Sequence, residues 1–464
     1  MNSHTQSVSR RSPVHPRGSR PRVVIIGGGF AGLNAAKALR RAPVDVVLVD
    51  RTNHHVFQPL LYQVATAALS PRDIGRPLRD VLRRQRNVTV LMANVVGFDL
   101  DGRRVLFEDG DSLAFDQLIV AVGARHSYFG RDDWETLAPG LKTIADALDL
   151  RRRILLEFER AERFANRARR QPAGSTSSPA PTFVVVGAGP TGVEMAGAIA
   201  EIAKKTMLRD FRSIRPEDTR VLLVEAAPRV LPPFPEELSA NAQRQLEGLG
   251  VDVRTGLRVT EIDTEKVVLE SADGSQETLR TNCVIWAAGN EAPALLAGLP
   301  AERDRNGRVV VEPDLSLARD ADVFVLGDCA HVRDEKGEPL PGLAPVAMQQ
   351  GRHVAKVIRE GLAGRPRPEF RYVDKGTMAT IGKARAVAWI GRVRFGGVLA
   401  WLAWSLVHIL FLVGFRTRIV VMLEWIFLYV FQRRDARLIH GWTRADPSSG
   451  DLTGAPSSLD GDQS

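Results

Sequence analysis

Cysteine is almost absent from this sequence. The 464 residues include two cysteines, Cys283 and Cys329, which lie far apart in the chain. Neither a thiol–disulfide relay nor a cysteine zinc site is supported, because both need closely spaced cysteines. Their scarcity also indicates a reducing compartment. The adjacent His54 and His55 have no further ligand nearby in the sequence, so we expect no metal site and interpret them as loop residues over a bound cofactor.

A secretory signal is also missing. Residues 1–22 have no acidic residue and no apolar segment, and they are rich in arginine and serine. We expect a disordered basic tail at residues 1–21 and a second disordered tail at residues 441–464. The chain has 63 basic and 54 acidic residues, a net charge of +9, but it has no nucleic-acid-binding motif. We therefore predict no nucleic-acid partner.

Two glycine-rich turns dominate what the sequence does contain. The apolar run at 23–26 predicts a buried strand. Gly27, Gly29 and Gly32 follow it as G-x-G-x-x-G, before a predicted helix. Glycine lets the backbone turn tightly and approach a pyrophosphate, and the helix N-terminus attracts the phosphates. Asp50 ends the next predicted strand, where a carboxylate accepts hydrogen bonds from ribose hydroxyls. This stretch predicts a dinucleotide-binding site.

The same arrangement occurs a second time. Gly187, Gly189 and Gly192 follow a predicted strand, and Glu225 ends the next one. Two copies imply two dinucleotides, each in its own domain. The Glu225 carboxylate accepts ribose hydroxyls but repels a 2′-phosphate, which favours NAD over NADP. Arg229 is close enough in the sequence to leave NADP open.

Three further turns of small residues end predicted strands. Such turns let a ligand approach the backbone, and an aspartate beside one of them suits either the polyol chain of a flavin or the cap of a helix. The turns contain Ala121 and Gly123, Ala288 and Gly289, and Gly327 and Asp328.

We predict an α/β chain with two Rossmann-like dinucleotide-binding domains. The first is discontinuous, with residues 22–140 and 291–374, and the second has residues 141–290. The repeated strand, glycine turn, helix and acidic residue are typical of this fold class.

The C-terminal region differs from both domains. Residues 395–415 carry no charge, and another apolar segment follows Arg418. A helix of about 20 residues can just span a bilayer, and two shorter helices lying in the interface fit equally well. A buried helix of a soluble domain is the alternative. We predict that residues 375–440 form an apolar helical membrane-binding region.

Eight blocks of the sequence resemble one protein family, the type II NADH:quinone oxidoreductases, which are single-chain flavoproteins of respiratory membranes. They lie mostly within residues 22–360. The blocks are VVIIGGGFAGL, NHHVFQPLLYQVATAAL, AVGA, VVVGAGPTGVEMAGAIAE, LLVEAAPRVLPPFPEELS, WAAGN, VFVLGDCAHV and APVAMQQG.

The resemblance implies that the first domain binds FAD non-covalently and that the second binds NADH. It implies catalytic roles for Glu194, near the contact between nicotinamide and flavin, and for Gln349. The quinone motif of the family is A-Q-x-A-x-Q, and this chain has Gln349 as the second glutamine but Pro345 in place of the first. The implied cofactor-binding positions are Gly27, Gly29, Gly32, Asp50, Ala121, Gly123, Gly327 and Asp328 together with Gly187, Gly189, Gly192, Glu225, Ala288 and Gly289.

The resemblance further implies a respiratory enzyme that passes hydride from NADH to FAD and two electrons to ubiquinone or menaquinone, without pumping protons. It implies a homodimer bound peripherally to the cytoplasmic face of a bacterial cell membrane. Quinone reduction also needs protons, and His408, the titratable residue of the apolar run, is interpreted either as their donor or as a structural residue. The alternative functions are a soluble NAD(P)H-dependent flavin reductase of another acceptor, such as ferredoxin, and a non-enzymatic redox sensor or scaffold.

Overall fold

The computed structural model of the chain describes residues 20–168, 180–207, 210–215, 218–431, 434 and 436–439. The two predicted tails lie outside these residues, apart from positions 20 and 21. The chain divides into two units. Unit 1 has residues 1–55, 76–125 and 291–373, and unit 2 has residues 56–75, 126–290 and 374–464. Unit 1 is discontinuous like the predicted first domain, but residues 56–75 and 126–140 of that predicted domain belong to unit 2, as does the C-terminal region. The predicted domain bounds stay predictions. The assignment of a cofactor to each unit stays a prediction.

The strands and helices of the described residues are numbered in chain order. The strands are β1 (Arg22–Ile26), β2 (Asp45–Asp50), β3 (His54–Val56), β4 (Gly75–Pro77), β5 (Val88–Met92), β6 (Val95–Asp99), β7 (Arg104–Phe107), β8 (Ser112–Ala114), β9 (Gln117–Val120), β10 (Arg125–His126), β11 (Thr182–Val186), β12 (Arg220–Glu225), β13 (Val251–Thr255), β14 (Leu257–Ile262), β15 (Lys266–Ser271), β16 (Gln276–Arg280), β17 (Cys283–Trp286), β18 (Asn290–Glu291), β19 (Val309–Val310), β20 (Ser316–Leu317), β21 (Asp320–Val325), β22 (Ala330–His331), β23 (Thr377–Gly382), β24 (Arg385–Ile390) and β25 (Val393–Gly396). The helices are α1 (Phe30–Ala38), α2 (Leu61–Ala65), α3 (Pro71–Ile74), α4 (Leu78–Leu82), α5 (Ile144–Ala168), α6 (Pro190–Glu201), α7 (Glu236–Glu247), α8 (Ala344–Leu362), α9 (Gly397–Phe411) and α10 (Phe415–Phe431).

The main sheet of unit 1 has the strand order β20-β21-β9-β1-β2-β5. All neighbours pair in parallel except β20 and β21, which are antiparallel. The residues at 23–26 are apolar and buried, because this central strand is covered on both faces of the sheet. Val23 and Ile25 pack into one core with α1 and α8, and Val24 and Ile26 pack into a second core on the other face.

Unit 2 repeats this arrangement. Its parallel sheet has the order β13-β12-β11-β17, which corresponds to β5-β2-β1-β9 in unit 1. An antiparallel three-stranded sheet, β14-β15-β16, corresponds in the same way to β6-β7-β8. The repeated topology confirms the two Rossmann-like folds that the repeated glycine motifs predict.

The C-terminal region is not purely helical, and the prediction was wrong on this point. It begins with the antiparallel sheet β23-β24-β25, and α9 follows after Gly396 and Gly397. The uncharged run then breaks at Gly414, which has φ +96°, before α10 begins. Among the described residues, no helix combines the length and the apolarity that crossing a membrane requires.

Candidate functional site

The first glycine-rich turn joins β1 to α1 in unit 1. Gly27 has φ +101°, and a β-carbon on either Gly27 or Gly32 would collide with backbone atoms. A β-carbon on Gly29, in contrast, would have no described atom within 4 Å. The fold itself therefore requires Gly27 and Gly32, whereas Gly29 leaves space beside the N-terminus of α1. A pyrophosphate fits such a space because it can approach the backbone N–H groups there.

Asp50, at the end of β2, holds this turn in place. One carboxylate oxygen, Oδ2, accepts a hydrogen bond from the Gly28 N–H at 2.6 Å. The other, Oδ1, accepts from the backbone N–H and the hydroxyl of Thr52 at 2.7 and 2.8 Å. Asp50 is only partly buried. Its carboxylate therefore orients the loop, and its predicted contact with a ribose stays a prediction.

The second glycine-rich turn joins β11 to α6 in unit 2 and has the same geometry. Gly187 has φ +97°, and a β-carbon there would lie 2.7 Å from the Ala288 nitrogen. Around Gly189, the part of the chain that the structure describes again leaves 4 Å of open space. Glu225 at the end of β12 accepts hydrogen bonds from the N–H groups of Ala188 at 2.6 Å and Ala227 at 2.8 Å. Each unit thus contains one complete phosphate-binding turn.

Further predicted positions lie at the same edge of the unit 1 sheet. The strands β9 and β21 are parallel neighbours, so the turns that follow them end together. Gly123 and Gly327 both have positive φ, +73° and +75°. Gln350 on α8 fixes the second turn, because its Oε1 accepts a hydrogen bond from the Gly327 N–H at 2.6 Å. Asp328 follows directly, as the sequence predicts.

Gln349, the predicted quinone residue, lies next to Gln350 on α8 but is bonded elsewhere. Its amide nitrogen donates to the Val373 carbonyl at 2.9 Å, and its oxygen accepts from the Val373 N–H at 3.1 Å. The predicted catalytic role of Gln349 is neither supported nor removed by this pair of bonds, because the amide has a second N–H to donate.

His55 supports the first glycine-rich turn through a hydrogen bond, a role that the sequence did not indicate. Its ring is buried and Nδ1 lies 2.9 Å from the Gly28 carbonyl oxygen. Burial lowers the pKa of His55 to about 4, so the ring is neutral and Nδ1 donates to that carbonyl. Within the described residues, no group of three or more side chains is arranged to hold a metal ion.

The comparison with known proteins agrees with this geometry. The pyridine nucleotide-disulphide oxidoreductase family matches residues 21–351, and the NDH2 C-terminal domain matches residues 375–434. The type II NADH:quinone oxidoreductase Ndh of Mycobacterium tuberculosis is 47% identical over 425 residues, which is 89% of each chain. NdhA of the same organism is 46% identical over 420 residues, 88% of this chain and 87% of that one. The chain belongs to the type II NADH:quinone oxidoreductases.

Solved structures support the fold of this type II NADH:quinone oxidoreductase. NDH2 from Plasmodium falciparum, in complex with NADH, matches with a TM-score of 0.81 at 19% identity, covering 91% of this chain and all of that chain. A sulfide:quinone oxidoreductase from Aquifex aeolicus matches with a TM-score of 0.69 at 17% identity, covering 89% and 96%.

The structure places Glu194 of this enzyme on α6, in a pocket within unit 2. The pocket is small and partly open to solvent. Burial raises the pKa of the Glu194 carboxyl well above its ordinary value, while a hydrogen bond with the Thr380 backbone acts in the opposite direction. The lining residues are Tyr62, Gln63, Thr66, Ala68, Glu194, Ala198, Glu201, Thr380, Ile381, Gly382, Lys383, Leu428 and Arg434.

Sequence reasoning found one residue of this pocket and missed the others. They come from α2 and the residues after it, from α6 itself, from β23 and the turn that follows it, and from α10 with Arg434 beyond it. Arg434 is one example: its guanidinium donates to the Thr66 carbonyl at 2.6 Å and lies 3.6 Å from the Glu201 carboxylate. Only the fold brings these residues together.

The open space at Gly29 and Gly189 generates a paired prediction. Valine at either position leaves the surrounding protein undisturbed but fills the space for a pyrophosphate. We expect Gly29→Val to yield a folded protein without flavin. Gly189→Val should keep its full flavin absorbance but lose rapid flavin reduction by NADH, measured by stopped-flow absorbance. A yellow Gly29→Val protein would contradict the assignment of the first turn. Gly32→Val is the control, since it should unfold unit 1 by collision with the Gly27 carbonyl.

Proposed function

We propose that this NADH:quinone oxidoreductase holds FAD in unit 1 and NADH in unit 2, and that it reduces a membrane quinone without pumping protons. The repetition of the glycine-rich turn, each time with open space at its second glycine and with a bonded acidic residue, is the observation that carries the proposal. FAD held at Gly29, Asp50 and Asp328 would supply the two-electron chemistry between NADH and the quinone. The residues of the chain bind and orient the two nucleotides and supply protons to the quinone.

The FAD assignment rests on the sheet edge of unit 1. An FAD pyrophosphate would lie at Gly29, with Asp50 beside the adenosine ribose. Gly327 and Asp328 form the second turn at this edge, and Gln350 holds that turn at a fixed position. Since these groups are held by buried or partly buried hydrogen bonds, the site is preorganised and favours tight non-covalent binding.

The NADH assignment rests on Glu225. Its carboxylate holds the turn and carries the negative charge that would repel a 2′-phosphate. Arg229 is the residue that left NADP as an alternative nucleotide in the sequence analysis. It donates to the Pro232 carbonyl at 2.8 Å and is thereby bound within its own loop. Unit 2 therefore favours NADH. The Plasmodium falciparum NDH2 with the same fold was solved in complex with NADH.

Replacing Glu225 should change the choice of nucleotide. Glu225→Gln removes a charge whose repulsion of a 2′-phosphate is worth on the order of 1–3 kcal/mol. We expect the ratio of kcat/KM for NADH over NADPH to fall by about tenfold or more. The ratio cancels any general weakening of the turn, because both nucleotides use it. An unchanged ratio would reject the role of Glu225, and Arg229→Ala, as the control, should leave the ratio near its original value.

We propose that the pocket of unit 2 supplies a proton to the quinone. Reduction of a quinone to a quinol consumes two protons, so a protonated group is needed at neutral pH. Glu194 fits this role because its raised pKa favours the protonated carboxyl. Tyr62 and Gln63 add polar groups to the lining, and Leu428 brings an apolar side chain from α10. The role predicted for Gln349 in quinone reduction is a separate proposal.

Glu194→Gln keeps the shape of the side chain but removes its proton. We expect flavin reoxidation by a soluble quinone analogue to slow at least about tenfold, while flavin reduction by NADH changes little. In the parent enzyme, reoxidation should slow as the pH rises through the pKa of Glu194, and in the variant this dependence should disappear. Gln349→Leu should slow reoxidation with an unaltered pH profile, because an amide does not titrate. Slower reduction with normal reoxidation in Glu194→Gln would instead place Glu194 at the nicotinamide.

The membrane partner of this enzyme is proposed from α9 and α10. One side of the helix pair is buried, with Trp404 stacked 5.5 Å from Trp425 between ring centroids. His408 stacks on Trp404, and burial lowers its pKa to about 4, which favours the structural interpretation over a proton donor. The other side exposes large apolar side chains, more than a water-facing surface of this size carries. These side chains are Val398, Leu399, Leu402, Leu406, Leu410, Phe411, Ile419, Met422, Leu423, Ile426 and Phe427.

We therefore propose that α9 and α10 lie in the membrane interface, peripherally on the cytoplasmic face. We also propose, from the family resemblance, that the enzyme is a homodimer. A helix of 15 residues is about 22 Å long, shorter than the hydrocarbon core of about 30 Å. The exposed apolar side chains also argue against the alternative function, a soluble flavin reductase of ferredoxin or another acceptor, since such an enzyme needs no apolar surface of this kind.

Charges placed on α9 should weaken membrane attachment. Leu402 and Leu406 are 51% and 60% exposed, so Leu402→Asp with Leu406→Asp leaves the protein core intact. We expect the fraction that sediments with phospholipid vesicles to fall at least about fivefold, because aspartate is costly at membrane depth. NADH oxidation with ferricyanide should persist. The matched control is Val96→Asp with Leu106→Asp, on exposed strands of unit 1. Equal sedimentation of the two double variants would refute attachment through α9.

A further inference from the structure

Phe129 combines two features that proteins usually avoid. Its side chain is 71% exposed, although a phenyl ring is favoured in a core. Its backbone has φ +53°, a left-handed conformation that a bulky residue rarely adopts, and Gly130 follows with φ +88°. Such backbone strain persists only where the surrounding structure imposes it, and it is enriched at ligand-binding sites. The fold thus holds an apolar ring in water.

The ring lies against the turn that follows β17 in unit 2. Its Cζ atom is 2.7 Å from the position that a β-carbon on Gly289 would take, so Gly289 is required for this approach. The segment is fastened from the inside, because the buried Trp286 donates its Nε1 hydrogen to the Ser127 carbonyl at 2.9 Å. The Phe129 and Trp286 ring centroids are 6.3 Å apart. Phe129 is therefore fixed to the sheet edge.

The strand order determines which half of a dinucleotide reaches this edge. The neighbours in the sheet are β12, β11 and β17. Glu225 ends β12 on one side, and the open space at Gly189 follows β11 in the middle. With the adenosine ribose at Glu225 and the pyrophosphate at Gly189, the remaining half of NADH must extend past the turn after β17. That half is the nicotinamide riboside, and the Phe129 ring packs against that turn.

We propose that Phe129 covers the nicotinamide riboside of NADH and is a specificity-determining residue of the nucleotide site. This inference rests on the proposed binding of NADH in unit 2. The exposed ring loses contact with water when the ligand arrives, and its fixed backbone means that little conformational freedom is lost on binding. The contact of Phe129 with the nicotinamide riboside therefore contributes to the affinity for NADH. The neutral dihydronicotinamide ring, which is largely apolar, is the group that this contact recognises.

The test compares NADH with ADP-ribose, which lacks the nicotinamide. The flavin is first reduced with dithionite under anaerobic conditions, so that NADH binds without hydride transfer. Nicotinamide fluorescence then gives the Kd of NADH, and displacement gives that of ADP-ribose. We expect Phe129→Ala to weaken NADH about tenfold and to change ADP-ribose less than about twofold. Phe129→Leu, which keeps an apolar side chain, should recover most of the NADH affinity. In steady state, KM for NADH should rise while KM for the quinone analogue stays the same.

Other outcomes would overturn the inference. Equal weakening of NADH and ADP-ribose would mean that Phe129 only supports the turn at Gly289. Unchanged affinity for both ligands would remove Phe129 from the site, and a changed sedimentation coefficient would then assign its ring to an interface between copies of the chain. The failure of the underlying assignment is recognised separately: if Gly189→Val kept its NADH affinity, NADH would not bind at this turn, whatever the result for Phe129.

Discussion

A carboxylate that closes a glycine turn is the interaction on which both nucleotide sites depend. In unit 1 Asp50 accepts the Gly28 N–H at 2.6 Å, and in unit 2 Glu225 accepts the Ala188 N–H at the same distance. A hydrogen bond from a backbone N–H to a charged acceptor contributes about 1.5–3 kcal/mol, more than an ordinary one. It also leaves the carboxylate at the end of its strand, directed at the edge where parallel strands end. The acidic residue therefore orders the glycine-rich loop in each unit, and the contact proposed for it with a ribose would use the same carboxylate.

Short-range patterns were sufficient to predict the two Rossmann-like folds. The strand, the glycine turn, the helix and the acidic residue all lie within one continuous segment, and the turn geometry is determined by residues such as Gly27 and Gly187, where the fold tolerates no β-carbon. The antiparallel sheet β23-β24-β25 escaped prediction because its strands are short and precede a conspicuous apolar run. For the apolar run at 395–415 the sequence left one spanning helix and two shorter helices equally open, and the structure has two helices, α9 and α10, separated at Gly414 with φ +96°.

The site residues that sequence reasoning missed share a physical property: their partners are distant in the chain. His55 supports the carbonyl of Gly28, and Gln350 holds the N–H of Gly327. A neutral histidine and a glutamine are common in loops and helices, so neither carries a local signal of its role. Gln349 illustrates the converse. The resemblance to a family motif drew attention to it, whereas the structure shows the neighbouring Gln350 bonded to the turn at Gly327 and Gln349 bonded to Val373. The two adjacent glutamines face different neighbours because successive residues of a helix point about 100° apart.

The C-terminal helices and the pocket around Glu194 form one packed structure within unit 2. Trp425 of α10 donates to the Gln63 side-chain oxygen at 2.7 Å, and Gln63 lines the pocket that contains Glu194. Arg434, just beyond α10, lines the same pocket and lies 3.6 Å from Glu201. The Trp425–Gln63 bond is buried, and loss of one partner there leaves an unsatisfied polar group and costs more than the bond itself contributes. Removing the C-terminal helices would consequently strip polar partners and one wall from the pocket. The pocket around Glu194 and the helices α9 and α10 are therefore coupled through Gln63, Trp425 and Arg434, so a change in the helices would also alter the pocket.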